Sequence, residues 1–116
     1  MDIYHAFFDL TDGQSDVAFA DDLAAFLNQL ATDGKIARWR LMRRKLGLAP
    51  RELGEFHLMI ETDGLAQLDA AFQQVSSRSG DIEDRHARVN QKIAQISFAL
   101  YRDFPDPQRR RGGEKF

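Results

Sequence analysis

With 116 residues, 43% of them apolar and 29% charged, and a formal net charge of −2, the chain has room for one hydrophobic core and the balance of an ordinary globular domain. That composition excludes a disordered chain, and no apolar run approaches the roughly 20 residues that a membrane-crossing helix needs. The absence of cysteine excludes disulfides, thiolate nucleophiles and cysteine-held metal or iron–sulfur sites.

The opening Met1-Asp2-Ile3-Tyr4-His5 places an acid where a secretory signal carries a basic region, so the expected location is cytoplasmic. Residues 2–10, DIYHAFFDL, are aromatic and β-branched and too short and unbroken for a helix, which predicts a buried strand. Its faces are Tyr4, Ala6, Phe8 and Leu10 on one side and Ile3, His5, Phe7 and Asp9 on the other. After the turn residues Thr11-Asp12-Gly13, Ser15 or Asp16 can cap a helix whose apolar stripe is Phe19, Leu23, Phe26, Leu27 and Leu30, with Gly34 as a left-handed stop.

Residues 35–46, KIARWRLMRRKL, alternate, with Ala37, Trp39 and Leu41 against Arg38, Arg40 and Arg44; so much charge predicts an edge strand. Gly47 to Gly54, with Pro50 between them, reads as the connection of a long hairpin into a third strand over 55–61, where Phe56, Leu58 and Ile60 oppose His57, Met59 and Glu61. Asp63 is the expected N-cap of a second helix carrying Leu65, Leu68, Phe72 and Val75. A shorter helix over 82–92, capped by Asp81, shows Ile82, His86, Val89 and Ile93 on one side. A fourth strand over 94–103 sets Ile96, Phe98 and Leu100 against Gln95, Ser97, Ala99 and Tyr101. The domain thus spans 1–104, and residues 105–116, polar and without periodicity, form a flexible tail.

The order β-α-β-β-α-(α)-β is the split βαβ arrangement, which predicts an α+β, ferredoxin-like fold. Right-handed crossovers then give a four-stranded antiparallel sheet in the order 4-1-3-2 with the helices on one face. Phe8, Trp39, Leu41, Leu58, Ile60, Phe98 and Leu100 should face the helices, with Trp39 the residue whose loss hurts most. The opposite face carries Phe7, Met42 and Met59 beside His5, Arg40, His57, Glu61, Ser97 and Tyr101, too apolar for open water and too polar for a dry core.

In this mixed face the chain resembles the dimeric α+β-barrel proteins, in which two ferredoxin-like sheets pack face to face around a cavity. More narrowly, DIYHAFFDL, ARWRLMRRKLGL and ELGEFHLMIE are similar to a small uncharacterised bacterial family of that superfamily, over residues 2 to about 103. The resemblance implies a homodimer. It implies an architecture rather than an activity, since the superfamily holds cofactor-free monooxygenases acting on aromatics, lactone isomerases, haem-handling enzymes and proteins of no assigned role.

Among candidate sites, His5 and His57 fall on adjacent strands and one face, and with Arg40 and Tyr101 they are the polar residues expected to line a pocket on the dimer-facing side. In that pocket Arg40 would hold an anionic oxygen unless it pairs with Glu61 or Asp9, and a histidine would move a proton. A structural alternative makes the histidines bridges in a dimer seam, and His86 a packing residue. No metal site is expected, because neither HxH nor HExxH spacing occurs, and no GxGxxG or phosphate loop calls for a nucleotide cofactor. The basic run Lys35, Arg38, Arg40, Arg43, Arg44, Lys45 and Arg51 suits nucleic acid or anions in principle, but EFHLMIE lacks the signature of an RNA-recognition strand, which disfavours nucleic acid. The favoured reading is a non-catalytic structural or ligand-binding homodimer taking a small apolar or anionic ligand. The alternative is a cofactor-independent enzyme of monooxygenase or isomerase type.

Overall fold

The structure is a computed structural model that describes residues 1–76 and 80–105, with the backbone alone for residues 76 and 80–82. In chain order the elements are β1 (Asp2–Leu10), α1 (Asp16–Thr32), β2 (Arg38–Arg43), β3 (Phe56–Thr62), α2 (Leu65–Ser76), α3 (Gly80–Asn90) and β4 (Ile93–Arg102). The strands form one antiparallel sheet in the order β2-β3-β1-β4, which is 4-1-3-2 read from the other edge. The fold is therefore ferredoxin-like. The tail expected over 105–116 lies, beyond Pro105, outside the described residues.

Local chemistry accounts for most boundaries. Ser15 caps α1 by accepting a hydrogen bond from the Ala18 amide at 3.2 Å, and Gly34, at φ +74°, ends the helix in the left-handed region. The expected cap of α2 moves by one residue: the Gly64 carbonyl accepts from Leu68 at 3.2 Å. Asp63 instead presents its backbone amide to Gln67 Oε1 at 2.7 Å. α3 begins at Gly80, ahead of Asp81, so Asp81 lies in its first turn rather than before it. β2 is shorter than its alternation suggested because Lys45, Leu46, Gly47 and Leu48 already form a turn, with Leu48 donating to Lys45 at 3.1 Å.

The core lies between the sheet and the helices, with Phe8, Phe19, Leu23 and Leu27 buried almost completely. Trp39 is half-buried at the margin of this core, its indole N–H donating to Asn28 Oδ1 at 2.9 Å. Phe8, not Trp39, is the aromatic at the centre. α3 is drawn onto α1 by Arg85, which donates to Gln29 Oε1 at 2.6 Å, and by Lys92, which meets Asp22 at 2.6 Å. The helix layer leaves β4 largely uncovered: its helix-facing Phe98 and Leu100 remain 58% and 53% exposed.

Candidate functional site

On the uncovered face of the sheet the register places Arg40, Met59, His5 and Ala99 in one row and Met42, His57, Phe7 and Ser97 in the next. His5 and His57 are thus diagonal neighbours, with His5 Nδ1 2.8 Å from His57 Nε2. Phe7 stacks on His57 at 4.2 Å between ring centroids, and Tyr101 meets His5 edge-on at 5.0 Å. Burial holds the His5 imidazole below its ordinary range; the same effect, reinforced by His5, holds His57 down.

Three of the four residues expected to line a pocket on this face are therefore brought together. Arg40 stands two strands from His5 and lines a separate depression of about 350 Å³ with Arg38, Trp39, Met59 and Glu61. Glu61 is engaged by Arg38 at 2.7 Å, and Asp9 accepts the Glu55 amide at 2.8 Å. Arg40 makes no ion pair among the described residues.

Much of the basic run is occupied internally. Arg43 pairs with Asp16 at 3.1 Å and Glu55 at 3.2 Å and lies over the Phe56 ring. Arg44 donates to the carbonyl of Leu53 and gathers the hairpin connection around its guanidinium. No group of three or more His, Asp or Glu among the described residues could hold a metal ion, and no helix among them is long and apolar enough to cross a membrane.

A larger space lies on the other side of the sheet, under the helices. It is a cavity of about 860 Å³ with Ala6, Phe8 and Leu58 among its sheet residues and Leu27, Phe72 and Val89 among its helical ones. Ile96, Phe98 and Phe72 line it and are each at least 40% exposed, so it opens toward β4. Tyr4 spans the mouth, stacked on Phe98 at 5.5 Å and edge-on to Phe72 at 5.4 Å.

The lining also carries polar side chains, and among those without a hydrogen-bond partner among the described residues are the Tyr4 hydroxyl and the His86 imidazole. Burial pushes the Tyr4 hydroxyl up to about 12, so it remains a hydrogen-bond donor through the neutral range. His86 leans on Phe26 at 5.4 Å and still lines the cavity. Neither residue was a site candidate in the sequence, where Tyr4 reads as a core aromatic and His86 as a packing residue. The available signal was one polar tip on each apolar stripe.

The model of a family of unknown function, DUF6614, matches residues 1–116. No curated protein matches the sequence. Among solved structures the chain is similar to the protein At3g17210 from Arabidopsis thaliana, at 8% identity over 89% of this chain and 95% of that one, with a TM-score of 0.68. It is also similar to a dimeric ferredoxin-like protein of unknown function from Thermobifida fusca, at 20% identity over 87% and 90% of the two chains and a TM-score of 0.59. A third is SnoaB, a cofactor-independent oxygenase from Streptomyces nogalater, at 11% identity over 93% and 97% and a TM-score of 0.60. At these identities the likeness shows the shared fold alone.

Proposed function

We propose that this chain, which belongs to the DUF6614 family, is a homodimeric binding protein that takes a small, mainly apolar molecule into the cavity between helices and sheet. The observation that carries the reading is the pairing of about 860 Å³ of mainly apolar space with unpartnered polar groups, Tyr4 and His86 among them. Cavities of roughly 300–1,000 Å³ with a few convergent polar groups are the usual form of small-molecule sites. A ring system carrying one hydroxyl or carbonyl would bury its body against Phe98 and Leu58 and satisfy the Tyr4 hydroxyl. The molecule requires no cofactor in this reading.

The homodimer follows from the other face. Four strands spaced about 4.8 Å and seven residues of about 3.4 Å each give a planar footprint of roughly 450 Å². Side-chain relief brings this toward the ~800 Å² per partner typical of stable interfaces. Phe7, Met42 and Met59 supply apolar contact, and the similar ferredoxin-like protein from Thermobifida fusca is itself dimeric, which supports a homodimer here. His5, His57 and Tyr101, with Arg40 beside them, then line the seam between copies. A cytoplasmic setting agrees with the absence of cysteine.

A second reading makes the same cavity catalytic, with His86 moving a proton and Tyr4 polarising an oxygen of the bound molecule. Their lack of internal partners favours it, because such groups are free to meet a substrate.

Fluorescence titration with 2-naphthol and with naphthalene tests the binding site. Ala87→Phe, which projects a ring into the cavity, should weaken both probes by about tenfold or more. Tyr4→Phe should weaken 2-naphthol by about two- to tenfold and leave naphthalene unchanged. Affinities unaffected by Ala87→Phe would place the site elsewhere.

A further inference from the structure

The His5–His57 contact on the dimer-facing side has a chemistry of its own. A hydrogen bond of 2.8 Å between two ring nitrogens uses one proton and one lone pair. A single added proton can be accommodated on the outer nitrogen of the donor ring. A second cannot, because two N–H groups would then face each other across the same 2.8 Å. Double protonation must break the bond and part the rings.

The rings cannot part without disturbing the face around them. His57 lies stacked on Phe7 at 4.2 Å, and His5 is covered on its β4 side by Tyr101 at 5.0 Å. The neighbouring charges do not help an imidazolium. On β2, Arg40 is a like charge and Arg38 is paired. On β3, Glu61 is the carboxylate that Arg38 holds at 2.7 Å, and on β1, Asp9 already accepts the Glu55 amide at 2.8 Å. Tyr101 of β4 brings a neutral hydroxyl, and a second copy docking by its own sheet would bring this same set of groups. Covering the pair removes the water that otherwise solvates its charge.

Building on the homodimer proposed above, we infer that the His5–His57 pair is a proton-sensitive latch: two copies dock sheet to sheet while the bond between the rings is intact, and acid separates them. The sign follows from proton counting. The docked pair holds fewer protons than the open one, so association releases protons and weakens as the pH falls through the lowered range in which these two imidazoles take up protons. Because both histidines are already held down in the single chain, this window lies below the ordinary imidazole range. One unit of further depression at one site on docking corresponds to about tenfold in affinity.

Sedimentation velocity over a dilution series at about pH 7.5 and about pH 5, above and toward the bottom of that window, reads the linkage, with circular dichroism confirming that the chain stays folded at both. The wild-type dimer dissociation constant should rise by about tenfold or more at the lower pH. His57→Gln, which leaves one ring and no bond between rings to break, should respond several-fold less than wild type across the two conditions, and His5→Gln provides the same reading on the other ring. A folded wild-type dimer with one dissociation constant at both pH values overturns the latch and leaves the dimer standing. An undiminished pH response in both variants overturns it as well. A folded monomer throughout the series at the higher pH overturns the docking itself, and with it the latch.

Discussion

At Gly54 an added Cβ would stand 2.3 Å from the carbonyl carbon of Phe8 and 2.6 Å from its Cα, so β1 and the approach to β3 can meet there only over a bare backbone. At Gly64 the same atom would meet nothing within 4 Å, and no positive φ is required. Gly54→Ala should therefore lower stability by about 2–3 kcal/mol, whereas Gly64→Ala should leave it nearly unchanged, as urea unfolding of the two variants would show. Equal midpoints would mean that the approach of Gly54 to Phe8 is not close in solution. In the sequence Gly54 reads only as the edge of a loop, because the atom it must avoid is 46 positions away in the chain. For Trp39 the size, the parity and the edge strand are all legible; what the sequence does not show is that the ring stays half-buried, its indole N–H held by Asn28 at the margin of the core. His5 and His57 were legible as neighbours, since strand order and parity suffice to bring two residues to one face.

Among the elements, β1 was readable to the residue because its aromatic run is bounded by turn chemistry at Thr11-Asp12-Gly13. β2 was not, because nothing in KIARWRLMRRKL announces that Leu46 leaves the strand. Leu46 and Gly47 have φ of +56° and +66° and lie within a turn closed by the Leu48 to Lys45 hydrogen bond, the pattern of a type I′ turn. A branched, exposed leucine is a poor occupant of the first central position, where asparagine is favoured. Leu46→Asn should raise stability by about 0.5–1 kcal/mol; a lower thermal midpoint in the variant would contradict this assignment of the turn. β4 shows a related irregularity, with Gln95 at φ +51° where the register with β1 slips between Phe7 and Asp9. Beyond that slip Ile93 pairs with Leu10 and Ala94 with Asp9, so the alternation that holds for Ile96, Phe98 and Leu100 changes side at the start of the strand, which the sequence does not announce.

For the whole molecule, strand order and the side on which the helices lie were legible, because amphipathic periodicity and crossover handedness leave few topologies. The cavity was not. Its mouth lies where the helices leave β4 uncovered, and the helix layer is joined by Arg85 reaching Gln29 and Lys92 reaching Asp22, polar contacts across 56 and 70 residues that no local pattern encodes. A sequence reading consequently places ligand chemistry on the face where the histidines gather, whereas the apolar space with unpartnered polar groups lies beneath the helices. The two faces can be told apart by their methyl groups, since Leu27, Leu58 and Val89 line the cavity and Met42 and Met59 lie on the uncovered side. Methyl-resolved NMR during a titration with 2-naphthol therefore tests the central claim most directly. The cavity reading predicts saturable shifts at Leu27, Leu58 and Val89 with Met42 and Met59 unmoved; shifts confined to Met42 and Met59, or none at the cavity methyls, would contradict it.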